Sequence, residues 1–156
     1  MWPFIGRETL MTFTQAPQGF IIRLEMGEDL HRVLAEFCRA HAITAGILHI
    51  IGAVRNLELA YYHLKRKEYE ITRIAEDLEV VGCTGNIAQV SGAPFLHIHG
   101  VFTDRYFRAM GGHVKAATVA ATCEVHLLPF AADVRRVDDA TTGLKLCEFG
   151  PTKTEA

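Results

Sequence analysis

No apolar run in this chain reaches the roughly 18 residues that a helix needs to cross a bilayer, so no membrane-spanning helix is expected. The first 13 residues include Trp2, Phe4, Ile5, Leu10 and Phe13. They lack the basic start, long apolar stretch and small-residue cleavage site of a secretory leader, and a cytoplasmic location is the expectation. Cysteine is sparse and unpatterned. Cys38, Cys83, Cys123 and Cys147 contain no C-x-x-C pair, which argues against a cysteine zinc site and for small buried thiols kept reduced. An excess of positive charge is missing too: 16 Lys and Arg stand against 18 Asp and Glu, whereas a self-sufficient nucleic-acid domain is usually strongly basic. The short basic groups Lys65-Arg66-Lys67, Arg105 with Arg108, and Arg135-Arg136 read as solvated turns.

What is present fits one domain. The chain has 156 residues, 49% of them apolar, enough for a core without disulfide support. Residues 1–18 read as an N-terminal arm, in which Trp2 is a candidate anchor to a neighbouring subunit; 19–149 read as the domain and 150–156 as a tail. Within the domain, residues 19–25 are β-branched and bounded by Gly27, hence a strand. Leu30, Val33, Leu34, Phe37 and Cys38 then recur at helical spacing, with acidic Glu28-Asp29 before them, which predicts a helix ending near His41. Strands are expected over 44–54, 57–63, 69–74, 78–88, 95–102, 106–110 and 118–128, with a break at Gly111-Gly112-His113. Residues 130–142 read as a solvated turn or short helix, and 144–149 as a last strand. Short turns between many strands predict an α/β domain of α+β type, a mainly antiparallel sheet packed against one main helix.

The chemistry-bearing residues are histidines. Strand side chains alternate faces, so in residues 95–102 Leu96, Ile98 and Phe102 share one face and His97 and His99 the other. Their Cα atoms then lie roughly 6–7 Å apart, close enough for two imidazoles to tilt toward one ion. His113, after two glycines, can fold back toward them. Glu124 and His126 repeat the i, i+2 spacing on the last long strand, and Glu124 is the candidate general base. From spacing alone two readings stay open: an open metal site, or half-buried strand histidines each satisfied by a hydrogen bond. His31, His41 and His49 have no partner at ligand spacing and read as helix-surface or strand residues, Tyr61 and Tyr62 as neighbours on opposite faces, and Asn86 as a turn or bulge residue.

The residues Gly52-Ala53-Val54, Leu59-Ala60-Tyr61-Tyr62, the stretch 78–87, Pro94-Phe95-Leu96-His97-Ile98-His99, Gly111-Gly112-His113 and Thr122-Cys123-Glu124-Val125 occur in this order. Together they resemble the plant and prokaryote conserved (PPC) domain over about residues 19–130. The resemblance implies an antiparallel sheet flanked by helix, assembly as a homotrimer, and a metal, zinc by expectation, on His97, His99 and His113. Stand-alone members of the family carry the name of predicted DNA-binding proteins. The plant members' AT-hook core, Arg-Gly-Arg-Pro, is absent here, so no minor-groove reader of that kind is present.

Three functional expectations follow. The first is a DNA-associated regulatory trimer that gathers Arg105, Arg108, Arg135 and Arg136 into one patch. The second is a metal-dependent enzyme, a hydrolase or lyase acting on a small polar substrate, with Glu124 or His126 as base. The third is a structural or small-ligand-binding trimer in which the histidines support an interface. No membrane partner is expected.

Overall fold

A computed structural model of the chain describes residues 10–151. The expectations for Trp2 and for the last five residues of the tail lie outside that range. Among the described residues there are nine strands and one helix: β1 (Thr12–Ala16), β2 (Gly19–Glu25), α1 (Leu30–Ala40), β3 (Gly46–His63), β4 (Glu68–Ile74), β5 (Leu78–Val90), β6 (Ala93–Thr103), β7 (Ala109–Pro129), β8 (Val134–Asp138) and β9 (Lys145–Phe149).

The helix forms where its apolar stripe predicts. Leu30, Val33, Leu34, Phe37 and Cys38 are buried, and Asp29 caps the start by accepting from the Arg32 amide at 2.8 Å. Each large side chain removed from water contributes about 1.5–3 kcal/mol before the entropy of ordering is counted. The helix stops at His41, whose ring stacks on Phe37 with centroids 4.0 Å apart and whose Nδ1 lies 3.0 Å from the Phe37 carbonyl. Glu28, expected at the helix start, turns elsewhere. It is buried, and its carboxylate accepts the backbone N–H groups of Leu10 (2.7 Å), Met11 (3.2 Å) and Glu25 (2.9 Å). That clasp holds the chain leading into β1, which pairs with β2 although residues 12–16 read as part of a loose arm.

The strands form one sheet in the order β1-β2-β7-β3-β5-β8-β9, with β4 on β3 and β6 joined to both β5 and β7. The pairings β3–β5–β6–β7–β3 therefore close a circuit. Two long strands make this possible by bending at bulges, where the β3–β5 register shifts between Ile50 and Gly52 and the β3–β7 register between Gly52 and Val54. Gly52 takes φ +136°, and a side chain there would collide with the Thr122 carbonyl. Leu48, Ile50, Ile98, Phe102, Val125 and Leu127 point inward and meet α1 in a single apolar core.

The sheet is mainly antiparallel, as expected, and is mixed only in that β8 runs parallel to β5, where Gln89 pairs with Arg135. Two expectations change. Residues 134–138, expected as a turn or short helix, are strand β8; the half-buried alternate positions are Val134 and Arg136, and a charged residue on the inner side hides the period-2 signal. Gly111-Gly112 is no break, for both glycines lie inside β7, where a Cβ on Gly111 would stand 2.5 Å from the Gly100 carbonyl oxygen. The glycines permit close strand approach rather than a turn. Cys38, Cys83 and Cys123 are unpaired and buried, with burial pushing their thiols up to about 11, 12 and 11. Cys147 is unpaired and half-buried.

Candidate metal centre

Strand β6 presents its residues as alternation predicts. Leu96, Ile98 and Phe102 are buried in the core, while His97 and His99 face the other way. His113 on β7 sits directly opposite His99 in the β6–β7 register. The three rings converge, with centroids 5.0 Å apart for His97–His99 and His97–His113 and 5.3 Å for His99–His113. One nitrogen from each lies within 4.8 Å of the others. The Nε2 atoms of His97 and His99 are 3.2 Å apart. Two nitrogens on one tetrahedral zinc, with bonds of about 2.0–2.1 Å, stand about 3.3 Å apart, so this pair already has the spacing the ion requires.

The electrostatics suit a cation in one respect and oppose it in another. Burial first, then the Arg136 guanidinium and His99, lower the His97 pKa to about 4. Burial, then His97 and Lys115, lower that of His113 to about 4. Both rings are neutral near pH 7, and their lone pairs are free of protons. Against this, the Arg136 Nη2 lies 2.7 Å from His97 Nδ1 and 2.9 Å from Asn86 Oδ1. A guanidinium only donates, so His97 Nδ1 accepts and the ring's proton sits on Nε2, donated toward His99. A metal on His97 Nε2 needs the opposite tautomer, with Nδ1–H facing an acceptor. Asn86 Oδ1, across the β5–β6 pair from His97, is the acceptor at hand. The donor set therefore fits a divalent ion on condition that Arg136 releases His97.

These groups line a cavity of about 640 Å³, within the usual range for small-molecule sites. Its floor is His97, His99 and His113, its walls Tyr62, Tyr69 and Phe95, and its roof the β8–β9 hairpin. Besides Arg136, two further bonds tie that roof down: Tyr62 donates to the Thr142 carbonyl at 2.7 Å and Lys67 to the Ala140 carbonyl at 2.6 Å. Gly143 between the strands takes φ +76°, and a side chain there would press on the Tyr62 hydroxyl.

Glu124 is not brought to this cavity. It lies 11 residues beyond His113 on the same strand, on the order of 30 Å along it, opposite Ile51 of β3. It lines a separate shallow groove with Phe13, Ile21 and Arg23. His126 lies opposite His49 on the exposed face of β3 and β7, equally remote from the three-histidine cluster. Lys115, Asn86, Phe95 and Arg136 are the site residues that the sequence reading missed. Asn86, expected as a turn or bulge residue, is in mid-strand and bonded to Arg136. Tyr61 and Tyr62 lie on opposite faces, as expected: Tyr62 packs on Tyr69 beside His113 in the cavity, and the Tyr61 ring turns to His63.

The sequence profile of the Plants and Prokaryotes Conserved (PCC) domain matches residues 11–131. The chain belongs to this family. Among solved structures, the PPC chain resembles a metal-containing protein from Archaeoglobus fulgidus at 36% identity, covering 88% of this chain and 96% of that one with a TM-score of 0.78. It resembles a plant- and prokaryote-conserved protein from Pyrococcus horikoshii at 24% identity, with 92% and 97% covered and a TM-score of 0.78. A protein from Bacteroides thetaiotaomicron whose DNA binding is itself a prediction shares the fold at 23% identity, with 89% and 97% covered and a TM-score of 0.86. No curated protein matches the chain in sequence. The match to the PPC profile ends at residue 131, three positions before β8 begins, so the hairpin that roofs the cavity and carries Arg136 lies beyond it.

Proposed function

We propose that this PPC-domain protein works through a divalent metal ion, zinc by the chemistry of its donors, held on His97, His99 and His113 in an assembly of three copies. The observation that carries the reading is the 3.2 Å separation of two imidazole nitrogens with a third ring beside them. The metal-containing relative from Archaeoglobus fulgidus supports it. Three nitrogen ligands leave a fourth position, where a bound zinc lowers the pKa of water toward about 7. In this chain His97, His99 and His113 would hold the ion, Asn86 would steady His97, and Lys115 and Arg136 would attract and orient an anionic group. A hydrolase or lyase reaction on a small polar substrate is the enzymatic form of this reading. Glu124 takes part in it only if a neighbouring copy delivers the carboxylate, because its own strand carries it away.

Self-association is supported by an uncovered sheet face. Ile47, Ile51, Ile21 and Leu128 are exposed on β2, β3 and β7, and α1 packs on the opposite side. Exposed apolar side chains on one sheet face, here alternating with His49, His126 and Glu124, suit burial against another copy. The unpaired cysteines suit the reducing cytoplasm expected from the sequence.

A second reading, DNA association in a regulatory role, is favoured by the relatives from Bacteroides thetaiotaomicron and Ralstonia eutropha, both predicted to bind DNA. The four arginines expected to form its patch are largely engaged. Arg108 pairs with Asp104 at 2.6 Å, Arg135 with Asp133 at 2.7 Å, and Arg136 turns into the cavity. Arg105, against the Tyr106 hydroxyl, has no carboxylate within 4 Å among the described residues.

Elemental analysis of the purified protein together with its mass in solution tests the first reading. One zinc per chain, three chains per particle and loss of zinc in His97→Ala and His113→Ala are expected. A metal-free monomer that zinc does not alter would end it. Retardation of duplex DNA that weakens steeply with salt would support the second reading, and no retardation at low salt would end that one.

A further inference from the structure

We infer that the roofed cavity is a binding site for a small organic anion, a carboxylate attached to a planar apolar body. The inference rests on the reading of this cavity as the working site, and not on the presence of a metal ion.

The charge inside is the first argument. Lys115, Arg136 and Lys145 line the cavity, and Asp138 is the one carboxylate among its lining residues. Asp138 is already paired with Lys145 at 2.6 Å. Arg136 and Lys115 have no carboxylate within 4 Å among the described residues. The Arg136 Nε is buried without a hydrogen-bond partner, while its Nη1 donates to the Lys145 carbonyl at 2.9 Å and its Nη2 to Asn86 and His97, so its hydrogen bonds go to neutral acceptors and its charge meets no anion. Lys115 holds its ammonium 4.1 Å from the centre of the Tyr69 ring. A chain with a net charge of −2 thus keeps two uncompensated cations beside three histidines, in one pocket. An unpaired cationic donor that is partly shielded from water costs free energy until an anion meets it.

The walls are the second argument. Phe95 lies under the Arg136 guanidinium at 5.6 Å, and Tyr62, Tyr69, Leu144 and Leu146 supply further apolar surface. A bare inorganic anion gains nothing from such walls. A flat organic anion is served by both halves: its carboxylate by the Lys115 ammonium and the charge of the Arg136 guanidinium, its body by the rings.

The origin of the roof is the third. Arg136, Leu144, Lys145 and Leu146 all come from residues 134–149, beyond the stretch matching the PPC profile. The histidines and Lys115 sit within the matched stretch while Arg136, Leu144 and Leu146 come from the hairpin, so residues beyond that stretch complete the cavity.

Isothermal titration calorimetry on the full chain tests this, with benzoate as probe and benzamide and inorganic phosphate as controls. Each is titrated into chelator-treated and zinc-supplied protein. Benzoate is expected to bind roughly tenfold more tightly than either control in the chelator-treated protein. Lys115→Met and Arg136→Met are each expected to weaken benzoate roughly five- to tenfold. Arg39→Met, at an exposed position of α1 that does not line the cavity, is expected to leave it unaltered. Equal affinity for benzamide, equal affinity for phosphate, or full benzoate binding by both variants would overturn the proposal. Stoichiometric zinc without benzoate binding would sink the anion site and leave the metal reading standing. Benzoate binding by a chain that never takes up zinc would do the reverse.

Discussion

Arg136 donates to His97 Nδ1 across 2.7 Å, joining the roof of the cavity to its floor. The bond fixes the metal-free tautomer of His97 and places a permanent cation against a prospective ligand. Two charges of like sign a few ångströms apart in a half-shielded site repel by about 1 kcal/mol or more. Arg136→Met is therefore expected to tighten zinc by about fivefold, as read by competition with a chromogenic chelator at pH 7.5. The same substitution is expected to weaken benzoate. If zinc binding is weakened as well, the guanidinium is a support for His97 and not an obstacle.

A pH dependence follows from the two lowered histidines. The folded chain holds His97 and His113 near 4, while an unfolded histidine titrates near 6.5. Between these values the unfolded state binds more protons, so stability falls as pH drops from about 6.5 toward about 4. Above that window both states are neutral at these rings and they add no slope. Each ring is only half-buried, and solvent screening reduces the combined effect to the order of 2 kcal/mol. Urea midpoints of the chelator-treated protein at pH 7 and pH 5 should show the loss, and the His97→Gln, His113→Gln double variant should flatten it. An identical drop in both proteins would remove these histidines as its cause.

Gly111 and Gly112 make different demands although they are adjacent. A methyl group on Gly111 would stand 2.5 Å from the Gly100 carbonyl oxygen, a backbone atom of the paired strand. On Gly112 the nearest atom is the Ala60 oxygen at 3.3 Å, a contact that a small shift relieves. Gly111→Ala should cost about 2–3 kcal/mol and spread β6 from β7, moving His113 away from His99. Gly112→Ala should cost under about 1 kcal/mol. Thermal unfolding gives the order, and zinc uptake shows whether the spacing of the histidines is lost with it. Equal costs would mean that the two strands are freer to separate than their pairing indicates.

The parts of this site that the sequence makes legible are those set by short-range periodicity. His97 and His99 share a face because a strand repeats every two residues, and α1 follows from its apolar stripe. Glu124 and His126 show the same i, i+2 spacing, and local pattern alone cannot say which end of a long strand reaches the cavity. The register of β7 against β3 and β6 decides it, putting His113 at the histidine cluster and Glu124 far along. Arg136 is further from view. It reaches His97 across 39 residues of sequence, through a parallel pairing of β8 with β5 at one position, Gln89 to Arg135. Its strand is short and rich in charge, so it reads locally as a turn. Long-range pairing supplied the cation, the roof and hence the enclosure, none of which leaves a local trace.

The clasp at Glu28 offers a stability test remote from the cavity. One buried carboxylate accepts three backbone N–H groups, two of them from Leu10 and Met11 just ahead of β1. β1 is an edge strand held otherwise by its pairing with β2. Glu28→Ala leaves those donors without an acceptor in a part-buried place, where water reaches some but not all of them, and should cost about 2–3 kcal/mol. Glu28→Gln keeps one carbonyl acceptor but brings an amide donor against an N–H, and should recover less than half of that loss. Hydrogen exchange should quicken first in β1 and β2, with the β6–β7 pairing at the histidines unaffected, because β2 pairs with β7 only over Thr122–Leu127, well along the strand from His113. Exchange that quickened uniformly would mean that β1 unfolds only with the whole sheet, and that the clasp holds the core and not the edge.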